Sequence, residues 1–320
     1  ASPGAEPGTD AYSEPARLAP RSLLLDAAAI DGKIMAVGER GHILVSTDSG
    51  SNWQQLRAPT RATLTAVHFV DGNVGYAAGH DAIILKTEDG GSTWDRVHYA
   101  PDEERPLFDI WFNTPEEGVA VGAYGYYLET HDGGRTWSDR ILKPAAAPGD
   151  TQESESADEQ LADDLHLYRI VRSETGKLYM AAEAGTAYRS DDEGQTWFRL
   201  PSPYEGSFFG ILPLSGDSLL LFGLQGRMFR SHDAGLNWQQ VDTGTEAILM
   251  DGARLEDGTL VVVGLAGAVL RSTDGGNTFE LHVQEERAGF ATIVPATQRT
   301  WVLVGENGVR TIANPWRTRS

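Results

Sequence analysis

An eight-residue motif returns six times along the chain, and the spacing of its copies limits the fold more than any other feature. It stands first as Ser46-Thr47-Asp48-Ser49-Gly50-Ser51-Asn52-Trp53 and next as Thr87-Glu88-Asp89-Gly90-Gly91-Ser92-Thr93-Trp94. The remaining copies centre on Asp132, Asp192, Asp233 and Asp274 and end on Trp137, Trp197, Trp238 and Phe279. The aspartates are 41, 43, 60, 41 and 41 residues apart. A second marker, an apolar residue followed by a glycine turn, precedes each copy: Val37-Gly38, Ala78-Gly79, Val121-Gly122, Phe222-Gly223, Val263-Gly264 and, without a following motif, Val304-Gly305. Ala182-Glu183 occupies the matching place in the long repeat. Seven units are therefore present, and the last, from about Phe290 to Ile312, stops before its aspartate motif would begin.

Within a unit the pattern is short β-rich runs between Gly/Asp/Asn turns. In the second unit, 64–70, 75–78, 82–87 and 93–99 read as four strands. Four strands repeated every 40–45 residues are the signature of β-propeller blades. The expected fold is all-β, a single seven-bladed β-propeller over 11–316, with blades near 22–57, 64–99, 106–142, 165–200, 207–241, 246–283 and 288–312. The last unit lacks its outer strand, and residues 11–20 are spare. An N-terminal strand is therefore expected to close the last blade, which would remove an open sheet edge. Residues 1–10 read as a flexible lead, 144–164 as an acidic insertion and 317–320 as a tail.

The motif itself is a hairpin lock. The Asp accepts backbone N–H bonds within the turn, the Gly takes an angle other residues resist, and the Ser/Thr hydroxyl closes further local bonds. The aromatic then packs between blades. Ser/Thr-x-Asp-x-Gly-x-Thr-Trp resembles the Asp box, or BNR repeat, whose hairpins lie at the blade periphery. Those aspartates and aromatics are accordingly read as structural. The whole unit, apolar–Gly turn, strand and Asp box at about 41 residues, resembles the Ycf48/HCF136-like family from about Ser22 to Ile312. That resemblance implies a non-enzymatic, extracytoplasmic scaffold or assembly factor acting on a photosystem or other envelope or membrane protein complex. Relatives in non-photosynthetic bacteria are linked with RND-type transporters. It also implies an arginine-rich binding surface.

Charge and composition narrow the partners. With 26 Lys+Arg against 46 Asp+Glu the net charge is −20, which disfavours nucleic acid and anionic membrane surfaces. No cysteine is present, so disulfides, thiolate metal sites and cysteine nucleophiles are excluded. No apolar run approaches the roughly 20 residues of a membrane-spanning helix. The chain opens Ala-Ser-Pro-Gly, like residues after a signal-peptide cleavage site, so a periplasmic or other extracytoplasmic location is expected, the thylakoid lumen in a photosynthetic host. A monomeric propeller is expected, with no cofactor.

Three candidate surfaces emerge. A basic residue precedes most Asp boxes, as Lys86, Arg189, Arg230, Arg271 and Arg310, and reads either as a basic track or as local pairing; Val45 and Glu129 break the series. The insertion 149–164 carries seven acidic residues and no basic one, and reads as a docking arm or a solvated loop. Loops on the same face bring Arg105, Tyr124 and Tyr204, aromatics beside charges that suit a protein partner. Phe108, Phe209 and Phe290 read as the starts of inner strands that fill the core. No catalytic or metal pattern stands out: the eight histidines are scattered, and nucleophile elbows and phosphate loops are missing. A carbohydrate-active or carbohydrate-binding Asp-box propeller is the alternative. Against it, sialidases have six blades, an arginine triad and an Arg-Ile-Pro motif, whereas Arg169-Ile170-Val171 lacks the proline.

Overall fold

The computed structural model describes residues 12–145, 165–297 and 300–316. Seven antiparallel sheets follow one another, each with its strands in sequence order from the axis outward. The second blade is typical, with Leu64–Phe69 innermost, then Gly75–Gly79, Ile84–Thr87 and Asp95–His98. The innermost strands touch in cyclic order, and that of blade 1 (Leu24–Ile30) meets that of blade 7 (Phe290–Pro295), so the ring closes. Apolar clusters fill the spaces between neighbouring blades. One joins Met35, Val37 and Ile43 of blade 1 to Leu64, Ala77, Leu85 and Trp94 of blade 2. Burial of such side chains contributes about 1.5–3 kcal/mol each.

All six Asp boxes have one geometry. The Ser/Thr hydroxyl donates to the Asp Oδ1 at 2.8–2.9 Å and accepts the glycine N–H at 2.8–2.9 Å. The same Oδ1 accepts the backbone N–H four residues on at 2.8–3.0 Å. The glycines sit at φ from 77° to 91°, where a side chain is strained. Donors from Asn52 hold Asp48 down to about 2, and those from Thr136 do the same for Asp132. The aromatics face the preceding blade: Trp197, 1% exposed, packs with Tyr127 and Trp111 of blade 3.

The ring is sealed differently from the sequence expectation. Blade 7 has three strands among the described residues, Phe290–Pro295, Thr300–Gly305 and Gly308–Ala313. Residues 12–18 form no strand. Instead Ser13 N–H donates to the Ala58 carbonyl, Ser13 Oγ accepts the Ala58 N–H, and the Gln55 side chain grips Ala16 N–H and the Glu14 carbonyl. The segment thus lies against blade 1, not along the edge of blade 7. Pro15 and Pro20 lack the N–H groups a ladder needs. A short 3-10 turn, Ala19–Arg21, buries Ala19 among Leu24, Leu44, Val302 and Val304, and so wedges the seam between blades 1 and 7. Thr311 adds a bond across it, donating to the Gly50 carbonyl at 2.8 Å.

The interface between blades 6 and 7 has no Asp-box aromatic, and Trp316 supplies one. Its ring lies 6.2 Å from that of Trp301 and packs in the cluster of Val261, Val263, Val269 and Leu303. Asn314 stands at the aspartate's place of a degenerate seventh box, with Oδ1 accepting the Trp316 N–H.

Candidate partner-binding face at the channel mouth

Every innermost strand carries a bulge one residue after its first pair. In blade 1 Leu24 faces Gly38 and Asp26 faces Val37, so Leu25 is left unpaired. The unpaired residues in order are Leu25, Thr65, Phe108, Tyr168, Phe209, Met250 and Ala291. Bulges re-aim side chains, and these seven are all half-buried at the channel end nearest the blade connections. Phe108 and Phe209 therefore do not fill the core, as the sequence implied; Phe208, one residue earlier, and Phe290 do.

In blades 3 to 5 the bulge residues form an aromatic arc. Phe108 stacks on Tyr168 at 5.6 Å, and Tyr168 meets Phe209 at 4.8 Å. His166 lies edge-on to Phe108 and Tyr168, and Tyr124 closes the arc 5.0 Å from His166. Tyr124 is 56% exposed and held at φ 54°. Equivalent turns place Arg40, Asp81, Ala184, Gln225 and Ala266 at the same left-handed angle, so the strain belongs to the repeat and the ring to this blade alone. Glu183 reaches the arc, with one oxygen 3.2 Å from the His166 N–H and 3.8 Å from Nδ1. Burial, reinforced by Glu183, pushes the Tyr168 hydroxyl up to about 12.

The next residues inward are Asp26, Ala66, Asp109, Arg169, Gly210, Asp251 and Thr292. Three carboxylates and one guanidinium thus share a level of the channel. Each carboxylate accepts a backbone N–H of the next blade in the ring: Asp26 from Val67 at 2.9 Å, Asp109 from Ile170 at 2.7 Å and Asp251 from Ile293 at 3.2 Å. Thr292 Oγ1 also donates to Asp251. Arg169 reaches from blade 4 to Asp26 at 3.4 Å and Asp251 at 3.5 Å. Burial opposes its charge, but the three carboxylates outweigh that and raise its pKa. Burial raises Asp26 and pushes Asp109 up to about 7, with Arg169 opposing both. This level was not singled out in the sequence; only the bulge register reveals that the aspartates stand together.

The other residues proposed from sequence are placed as follows. Arg105 pairs with Glu103 at 2.6 Å and Asp139 at 2.8 Å and lies over Tyr126. Tyr204 packs on Phe208 and Phe229 and donates to Gln225, which ties the connection before blade 5 to that blade. The basic series lies away from the mouth, beside the Asp boxes. Lys86 pairs with Glu88, Arg189 with Asp191 and Arg271 with Glu280. Arg189 and Arg230 also donate to box carbonyls of the following blade, Ala234 and Gly275. Arg310 is out of register: its cross-strand partner is two residues before the turn glycine, where Lys86, Arg230 and Arg271 face a residue three before it. Its side chain therefore faces blade 6 and pairs with Glu286, and Thr311 holds the place in the series. The shorter turn Gly305-Glu306-Asn307-Gly308 causes the slip. The acidic stretch 149–164 lies outside the described residues. Among the described residues no group of three His, Asp or Glu is set to hold a metal, and no helix is long and apolar enough to cross a membrane.

Solved folds agree with this architecture. A structure described as YCF48 bound to D1 peptide superposes with a TM-score of 0.71 at 20% identity, covering 97% of this chain and 98% of that one. YCF48 from Cyanidioschyzon merolae gives 0.71 at 17% identity over 95% and 98%. A streptogramin B lyase gives 0.72 at 15% identity over 92% and 95%, so fold likeness spans unrelated chemistries. In sequence, the Photosystem II assembly lipoprotein Ycf48 of Parasynechococcus marenigrum is 38% identical over 161 residues, 50% of this chain and 43% of that protein. Its counterpart in Prochlorococcus marinus is 35% identical over 155 residues, 48% and 40%. The aligned part is thus less than half the length of these relatives. The model of the family described as Photosynthesis system II assembly factor YCF48 matches residues 13–106, 45–210 and 99–263, most of the propeller, and the chain belongs to that family.

Proposed function

We propose that this protein is a non-catalytic, extracytoplasmic assembly factor whose channel-mouth face recognises a segment of a membrane protein complex. The observation that carries the reading is the half-exposed aromatic arc of Phe108, Tyr124, His166, Tyr168 and Phe209 on a rigid ring. Aromatics with polar tips at a rim anchor protein partners. The family's assembly role, and the D1 peptide named with one structural relative, support a polypeptide as the ligand. A photosystem component in a photosynthetic host, or an RND-type transporter elsewhere, is the class of partner proposed. Of the basic residues beside the Asp boxes, Arg189 and Arg230 serve to join blades and Lys86 and Arg271 to pair within their own, while Tyr204 and Arg105 shape the rim.

The non-catalytic part rests on how the channel charges are spent. Asp26 and Asp109 are 3% and 6% exposed and cap backbone amides, and one arginine stands among them where a sialidase uses three. Affinity capture from the native envelope with cross-linking and mass spectrometry tests the reading, comparing the intact chain with a 149–164 deletion. Cross-links from a single membrane complex to the mouth residues are expected, weakened by the deletion while the chain still folds. Absence of any protein partner, or turnover of a fluorogenic glycoside lost in Asp109→Asn, would overturn it.

A further inference from the structure

The arc differs from the rest of the mouth in chemistry as well as shape. The channel level below the arc sets Arg169 among three carboxylates, two of which burial draws towards the protonated form, so the negative charge at the mouth comes from the rim. Glu183 stands at the rim beside His166 and Tyr168, its side chain 37% exposed. The connections that flank blades 3 and 5 add Asp102, Glu104 and Glu205, all exposed. Aromatic faces beside exposed carboxylates attract cations through both the ring quadrupole and the field.

We infer that the arc is a receptor for a cationic side chain, an arginine or lysine carried on an extended basic segment of the partner. Tyr124 provides the exposed face, and Glu183 with the exposed Asp102, Glu104 and Glu205 the rim charge. The inference rests on the partner-binding reading above and names the chemistry of the segment that would dock.

The test uses the full chain and three labelled 12-residue peptides of Gly and Ser carrying four arginines, four citrullines or four glutamates. Fluorescence anisotropy is read at low salt for the wild type, Tyr124→Ala, Glu183→Gln and, on the opposite face, Glu116→Gln. Alanine fits the Tyr124 turn, because Ala184 and Ala266 occupy the same left-handed place in blades 4 and 6. The arginine peptide is expected to bind at least about tenfold more tightly than the citrulline peptide. Tyr124→Ala and Glu183→Gln should each weaken it by about 3- to 10-fold, and Glu116→Gln should leave it unchanged. Equal binding of the citrulline or glutamate peptide overturns the inference. So does an equal loss in all three variants, which would mean general attraction to an acidic chain. If the wild type and both arc variants capture the same envelope complex and the peptides ignore the substitutions, this site fails and the assembly-factor reading stands. If the wild type captures nothing, that reading fails and the peptides alone decide this one.

Discussion

Replacing Asp109 by Asn should change how stability depends on pH, because the native fold holds a proton there that the unfolded chain releases. The carboxyl is 6% exposed, and burial pushes it up to about 7 from an ordinary 3.8, against the pull of Arg169. A carboxyl raised in the folded state binds more protons in that state between the two values. Its contribution to stability is complete below 3.8 and is lost as pH rises towards 7. Between pH 5 and pH 8 the loss covers about two pH units, or at most about 3 kcal/mol, shared with Asp26 where the two titrate together. Asn resembles the protonated acid and cannot ionise. The variant should therefore gain on the wild type from pH 5 to pH 8, by at most about 3 kcal/mol. His68, which burial brings down to about 4, pulls the other way below pH 6.5, but it is present in both chains and cancels in the difference. Urea unfolding at pH 5, 6, 7 and 8 gives that difference. Parallel curves would show that Asp109 is ionised in the native channel throughout, and the account of the charged level would be wrong.

Arg169→Met should cost about 3–5 kcal/mol at neutral pH, since it leaves Asp26 and Asp251 without their cation; the same denaturation series should show the deficit shrinking at pH 5 as carboxylates take up protons. Trp316→Ala should cost about 2 kcal/mol, less than for a fully buried tryptophan, because the ring is half-buried against Trp301 and lies 4.9 Å from the Arg271 guanidinium. An unchanged melting temperature would remove Trp316 as the seventh anchor. Gly226→Ala should cost about 2–4 kcal/mol, since φ is 66° and a Cβ would fall 2.0 Å from the Thr245 carbonyl. Gly216→Ala is the matched control, with φ 63° and nothing within 4 Å, and should cost only about 1 kcal/mol in the same thermal melts.

Much of the fold was legible because a repeat writes the same local physics many times. The Asp boxes declared their hairpins through residues within four positions of each aspartate, and all six close as their spacing implies. The second blade's strands fell within a few residues of expectation, and the turn expected after the second strand is the 3-10 turn His80–Ala82, which delays the third strand to Ile84. The candidate face was legible only in part. Tyr124 was visible as an aromatic in a turn, but His166, Tyr168 and Glu183 carried no pattern that marked them. Phe108 and Phe209 were read inward because an apolar residue opening a strand usually points to the core; a one-residue bulge turned them to the mouth.

Local chemistry therefore determined the turns, the strand period and the number of blades, since each depends on bonds made within about forty residues. What only the ring decided is which distant residues meet. Asp26, Asp109, Arg169 and Asp251 lie on four blades and share a level because seven bulges fall in register around one axis. Closure was decided in the same way. The leading segment lies against blade 1 and its 3-10 turn wedges the seam, because prolines deny it a ladder and Ala19 finds a buried place between blades 1 and 7. Trp316 became the last anchor because the space between blades 6 and 7 had no Asp-box aromatic to fill it, a vacancy that exists only once the ring is closed.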